Sequence, residues 1–420
     1  MHLMLVLLFL SQADPAAEAV RGIDEAAIRA HVEVLAADAM EGRAVGRPGN
    51  DRAAEYIVKQ LKEAGLKPAG DGGDFHHLFP LRRGGQAKNV IALLEGADGR
   101  LKDEYVAVGG HFDHVGMRTG KSGGQRKGGD ENDLVFNGAD DNASGTAAVL
   151  DLARPFAAGP ARPKRSILFC LWNAEETGLE GSSHWTRMST RPLDKLVYYL
   201  NLDMVGRNPE RPIDFEGAKN SGGDALERIV TAACEAEGLR VTKYDHHNEA
   251  MFRADGAPFL RAGVPASMFF SYWHADYHKV SDHADKVAFP NLAKVARASF
   301  RILLGVADHE PRLRFNPNTP LRGKPLGVEG EELEGEALKA LNLGDGQGAY
   351  RIRSAAPGQV MSRAGFQDGD VLLGLKGRLP DRRTFGEFWL RVQSLRPGQE
   401  VDAEVLRGGE RKVLTVRWPE

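Results

Sequence analysis

Cysteine is nearly missing from this chain: Cys170 and Cys234 are the only two among 420 residues. Two thiols make neither a disulfide framework nor a sulfur-based metal site. Cys170 sits within an apolar run and reads as a buried core thiol. An excess of either charge is missing too. The 55 basic residues face 58 acidic ones, a net charge of −3, and no basic stripe appears, so nothing argues for nucleic-acid binding. Long hydrophobic runs are also lacking. Leu3–Leu10 is too short to span a bilayer and resembles the apolar core of a secretory signal without its positively charged start. Residues 1–20 are therefore expected to be a signal segment, cleaved somewhere in 11–20. The protein is then periplasmic, cell-surface or secreted, with cytoplasmic residence as the alternative. No internal repeat is present.

What is present is ordinary globular composition, 42% apolar and 27% charged, with length for about two or three domains. Residues 24–65 read as helical, with Asp51 as a cap for Arg52–Ala64. Asn89–Leu94 and Tyr105–Val108 are short β-rich runs. Ser166–Trp172 and Leu196–Leu202 are continuous apolar runs, suited to strands buried on both faces. Ala266–Ser271 reads as another strand. Helices are expected at Asn142–Ala158, Asp224–Glu237 and Asn291–Val306. Strands alternating with helices predict an α/β three-layer sandwich around a mostly parallel sheet. Residues 116–133 are low in complexity and read as a loop. A proline- and charge-rich linker at 311–320 follows the domain of residues 21–310. Residues 321–420 then read as a small β-rich domain, with a helix near Phe385–Leu395 and a glycine-rich hairpin, LRGGERK.

Residues 168–182, LFCLWNAEETGLEGS, end an apolar run in two adjacent carboxylates, Glu175 and Glu176. Successive strand side chains point to opposite faces. The pair can serve one site only in the turn beyond the strand, where one charge needs neutralising by a metal or a proton. Other runs lead to similar groups: GGHFDHVG with His111 and Asp113, NGADDNASG with Asp140 and Asp141, NLDMVGR with Asp203, and WHADYHKVSDHADK with His274, His278, Asp282 and Asp285. A parallel sheet gathers its strand ends. Nitrogen and oxygen donors without sulfur suit zinc, with cobalt or manganese as substitutes. The set is too large for one four-coordinate ion and suits a pair sharing a carboxylate.

On these motifs, with MEGRAVGRPGNDRAAEYI and LKEAGLKP before them, residues 24–306 resemble the dinuclear zinc aminopeptidases, a family with glutamate carboxypeptidase-like and glutaminyl-cyclase-like members. The resemblance implies two zinc ions. His111, Asp140 and Asp203 would hold one; Asp140, Glu176 and His278 would hold the other, with Asp140 bridging. It implies Glu175 as general base and Asp113 as the group that orients His111. His274 is a candidate for polarising the substrate carbonyl. Asp141 reads as structural, and His246 and His247 as surface residues. The activity implied is removal of N-terminal residues from peptides. A carboxypeptidase, a one-zinc glutaminyl-cyclase-like enzyme and a non-enzymatic binding protein are the alternatives.

The chain also departs from the family pattern. Many relatives carry Ser-Asp-His where Ala254-Asp255-Gly256 stands, and Ser271-Tyr272-Trp273 is expected to fill part of the specificity pocket. Residues 321–420 resemble a PDZ domain through KPLGVEG, YRIRSAAPGQVMSRAGFQDGDVLLGLKG and LRPGQEVDAEVLRGGERKVLTV. That resemblance implies capture of a peptide C-terminus near Leu326–Val328.

Overall fold

The computed structural model describes residues 15–118, 125, 128–244, 249–315, 328–333, 336–343, 348–355, 360–376, 392 and 400–417. The signal-like residues 1–14, His246 and His247, most of the Phe385–Leu395 helix and Leu326–Gly327 lie outside them.

Among the described residues the larger sheet has nine strands: β1 (Lys67–Pro68), β2 (His76–Pro80), β3 (Gln86–Leu94), β4 (Tyr105–His111), β5 (Ser166–Trp172), β6 (Leu196–Leu202), β7 (Ile213–Glu216), β8 (Val241–Tyr244) and β9 (Ala266–Phe270). Their order is β1-β3-β5-β4-β6-β9-β7-β8, with β2 on β3. The central strands β5, β4, β6 and β9 are parallel neighbours. Strands β3 and β7 join them antiparallel. The fold is thus the expected α/β sandwich on a mostly parallel mixed sheet.

Alternation along the strands divides the core. Ile167, Phe169 and Leu171 of β5 join one cluster with the helices α1 (Glu25–Leu35), α3 (Gly145–Ala158), α5 (Ala218–Ala236) and α7 (Phe289–Asp308). Leu168, Cys170 and Trp172 point the other way, toward Trp185 of α4 (Glu180–Arg187) and Phe259 of α6 (Gly256–Arg261). Both cysteines are buried free thiols. Burial pushes the Cys170 thiol's pKa upward, as suits a packing residue.

Some boundaries differ from expectation. Helix α2 runs Pro48–Glu63: Pro48 at its start suits the first helical turn, so Asp51 lies inside that turn instead of capping it. Its first-turn carboxylate still favours the helix N-terminus. Strands β7 and β8 are short, and β7 carries Asp214 and Glu216 fully buried, so neither shows an apolar run.

The C-terminal sheet is β10 (Val328–Leu333), β11 (Ala349–Ala355), β12 (Val371–Leu375), β13 (Glu400–Arg407) and β14 (Glu410–Arg417), in sequence order and antiparallel throughout. The glycine-rich segment forms the expected hairpin, pairing Arg407 with Glu410. Gly408 and Gly409 take φ of 58° and 86°, the signs a two-residue hairpin turn requires. Ile352, Met361, Phe366, Leu372 and Val405 form its own core.

Candidate metal centre

Each functional side chain reaches the site from the carboxyl end of a central strand or from the segment entering α3. His111 is the last residue of β4. Glu175 and Glu176 follow β5, Asp203 follows β6 and His278 lies beyond β9. Asp140 and Asp141 end no strand; they lie in the turn of 139–144 that leads into α3.

That turn is tightly held. Gly145 begins α3 so close to β6 that a Cβ would lie 2.2 Å from the Leu202 carbonyl oxygen, so only glycine fits. Asp282 accepts the backbone N–H groups of Asp140 at 3.0 Å and Asp141 at 3.1 Å. The buried guanidinium of Arg43 donates to the carbonyls of Phe112, Leu35, Asn137 and Gly138. It thereby ties the segment after β4 to the segment before Asp140. Burial lowers its pKa to about 10, against neighbouring carboxylates that favour its charge. Asn50 and Asn173 exchange side-chain hydrogen bonds of 3.0 and 2.8 Å, fixing the turn after β5. In that turn Ala174 has φ 60°, left-handed backbone that costs on the order of 1–3 kcal/mol outside glycine.

Two donor sets result. His111, Asp141 and Asp203 bring ligand atoms within 4.8 Å of one another; so do His114, Asp141, Glu176 and His278. Asp141 belongs to both. One of its oxygens is 3.4 Å from His111 Nε2 and the other 3.0 Å from His278 Nε2. His111 Nε2 is 3.5 Å from Asp203, and His278 Nε2 is 3.1 Å from Glu176. Buried imidazoles and carboxylates converging without sulfur fit zinc-class ions, and a shared carboxylate fits two.

The residue common to both sets is thus Asp141, one position after the Asp140 expected there. Asp140 turns away: one oxygen accepts the Gly206 N–H at 2.7 Å and the other lies 3.2 Å from His274 Nε2. Asp141, expected to be structural, takes the shared position. Successive residues cannot face the same way here, and side-chain type does not say which one faces the site. His274 is a second correction: held against Asp140, it does not line the cleft. Asp113 is a third. Its backbone carbonyl, at 3.1 Å, takes the His111 Nδ1 contact, while its carboxylate is 3.7 Å away. That carboxylate instead accepts the N–H groups of Glu175 and Glu176.

His114 was not anticipated. Its Nδ1 is 2.8 Å from Glu176 and its ring meets His278 edge-on at 5.5 Å. The visible signal was a second histidine three residues after His111 in HFDH.

The electrostatics separate the two glutamates. Burial would raise both pKa values. For Glu176, His278 and the bond from His114 outweigh burial and hold it below the usual carboxylate range. For Glu175, burial together with Glu176, Asp203 and Asp255 outweighs His111 and raises it well above that range. Asp141 is lowered well below, because bonds to His111 and His278 overcome burial.

A cleft of about 1220 Å³ opens over the centre, lined by His111, Asp141, Glu175, Glu176, Asp203 and His278. Trp273 lines it as expected. Tyr272 is buried instead, with Arg211 stacked 3.9 Å over its ring.

An α/β sheet carrying paired buried His/Asp/Glu sets at its strand ends under an open cleft is the architecture of a metallopeptidase. Residues 89–303 match Peptidase family M28, and the chain belongs to that family. It is 30% identical over 272 residues to leupeptin-inactivating enzyme 1 of Streptomyces exfoliatus, covering 62% of this chain and 51% of that protein. It is 31% identical over 164 residues to an aminopeptidase of Pseudomonas aeruginosa, covering 37% and 29%. The chain thus spans about half or less of these relatives. Solved folds of the same kind include the Legionella pneumophila LapA aminopeptidase (15% identity, 74% of this chain and 80% of that one, TM-score 0.53). A zinc aminopeptidase from Bacillus subtilis is another (14%, 67% and 94%, TM-score 0.52). A third is a Porphyromonas gingivalis glutaminyl cyclase (17%, 67% and 98%, TM-score 0.54).

Proposed function

We propose that this protein is an exopeptidase that uses two zinc-class ions to remove N-terminal residues from peptides. The observation that carries this reading is Asp141, whose two oxygens divide between His111 and His278. His111, Asp141 and Asp203 would hold one ion; Asp141, Glu176 and His278 would hold the other. Ions bound there would supply Lewis acidity toward the scissile carbonyl and toward water.

The chain's own residues do the rest. Glu175 is the only glutamate of the pair outside both donor sets. A carboxylate left free of the ions can take a proton from water and return it to the leaving amine. Asp113 fixes the backbone on which both glutamates stand, so base and ligand stay in register. The aminopeptidase names among the relatives favour release from the amino end. We further propose that the chain is exported, with signal cleavage somewhere in residues 11–20; the signal-like apolar run Leu3–Leu10 supports this. The C-terminal five-stranded sheet is proposed to act as a PDZ-like module for a peptide C-terminus.

The test is hydrolysis of aminoacyl chromogenic substrates beside N-blocked peptides, with metal measured on the same sample. The reading expects cleavage only of free N-termini, about two ions per chain and inhibition by chelators. Cleavage of N-blocked peptides from the other end would make the protein a carboxypeptidase.

A further inference from the structure

The cleft extends beyond the metal centre to a basic end. Arg187 closes helix α4 and Arg261 closes α6; both are exposed and both line the cleft. Among the described residues neither forms an ion pair. Arg82, also in the cleft, differs: it donates to the Gly178 carbonyl and faces Glu180 at 3.7 Å. Trp273 and Tyr277 also line the cleft; their rings meet at 4.5 Å, and Arg253 stands 5.4 Å over the Trp273 ring.

Arginine at a helix C-terminus complements the helix dipole. That explains the residue type at each end but not why both ends open onto one cleft. The charge balance sharpens the point. Asp141, Glu175, Glu176 and Asp203 are the cleft carboxylates at the centre, and two divalent ions would offset all four; the fifth, Glu180, faces Arg82. The basic end would then face the substrate with its positive charge uncompensated.

We propose that this end is a carboxylate-binding subsite, so that the cleft selects short peptides bearing an anionic group. This rests on the exopeptidase reading for what happens at the floor. Helices α4 and α6 are tied near their starts by the Ser182–Asp255 bond. From there Arg187 and Arg261 lie roughly 7–9 Å along their helices at ~1.5 Å per residue. Guanidinium groups match a carboxylate in charge and in planar, two-pronged geometry. The anion is either the C-terminal carboxylate of a peptide or an acidic side chain.

The experiment is calorimetric binding to the full-length Glu175→Gln chain loaded with zinc, at low salt. Three ligands separate the sources: Leu-Ala-Ala with a free C-terminus, its C-terminal amide, and the Glu-Ala-Ala amide. The proposal expects one carboxylate-bearing peptide to bind about tenfold more tightly than the Leu-Ala-Ala amide, the equivalent of one good ion pair. Which one does so names the source. Adding Arg187→Gln and Arg261→Gln together should bring that ratio to about twofold or less, as should high salt. Absent binding, or near-equal binding of all three peptides, overturns the subsite. Turnover of the same peptides by the wild-type chain is read separately. A clear carboxylate preference without any cleavage would defeat the exopeptidase reading and leave the subsite standing.

Discussion

The carboxylate of Asp113 accepts the backbone N–H groups of both Glu175, at 3.1 Å, and Glu176, at 3.3 Å. A single buried side chain at the end of one strand thus fixes the two glutamates that follow its neighbour. Asp113→Ala leaves both N–H groups without their partner. It is expected to lower activity or metal affinity by roughly 10–100-fold, the usual cost of losing a group that orients ligands. Kinetics with metal analysis would check this; full activity at full metal content would show that the turn holds itself.

The two glutamates should respond differently to the same substitution. Glu175→Gln keeps size and metal but removes the proton acceptor, and turnover should fall roughly 10²–10⁴-fold. The loss should appear in kcat, since the base acts in the transition state. Glu176→Gln should deplete metal, and added zinc should restore part of its activity. Metal content and kinetics on both variants decide, and the opposite pattern would exchange the roles.

Arg43 should matter for stability more than for chemistry. Its guanidinium satisfies four backbone carbonyls, and leaving buried acceptors unpaired costs about 1–3 kcal/mol each before relaxation. Arg43→Met should therefore shift the denaturant midpoint down strongly. A midpoint within error of the wild type would show that the carbonyls find other partners.

Asp151 gives a pH signature away from the metals. It is buried on α3, and burial followed by the charge of Asp24 raises its pKa to about 7. The folded state thus holds this proton more tightly than the unfolded chain does. The stabilising contribution is complete below about pH 4 and is lost as pH rises through about 7. Asp151→Asn should flatten the decline in stability between about pH 4 and about 7, as the linkage relation requires, measured by chemical denaturation. An unchanged slope would mean that Asp151 does not titrate in that window.

Much of this was legible in the sequence, for physical reasons. The runs Ser166–Trp172 and Leu196–Leu202 are buried along their whole length, so composition alone marks them as central strands. The turn residues after them carry the site because a parallel sheet gathers its carboxyl ends. What was not legible turns on direction. In the pair Asp140 and Asp141, residue type is identical, and only the path of the turn over Asp282 and Gly145 decides which carboxylate faces His111 and His278. His274 and His278 lie four apart, yet one faces Asp140 and the other Asp141. Strand β7 escaped notice because Asp214 and Glu216 interrupt its apolar character. Arg43 gave no signal, because a buried arginine serving backbone carbonyls looks like any surface arginine in a sequence.

On the proposed reading, Asp141 serves two ions and Asp140 serves none. Metal content of purified Asp141→Ala and Asp140→Ala, against the wild type, tests it most directly. Two zinc-class ions are expected in the wild type, depletion of both in Asp141→Ala, and retention of both in Asp140→Ala with reduced stability only. Loss of both ions from Asp140→Ala, with Asp141→Ala fully loaded, would contradict it and return the bridge to Asp140.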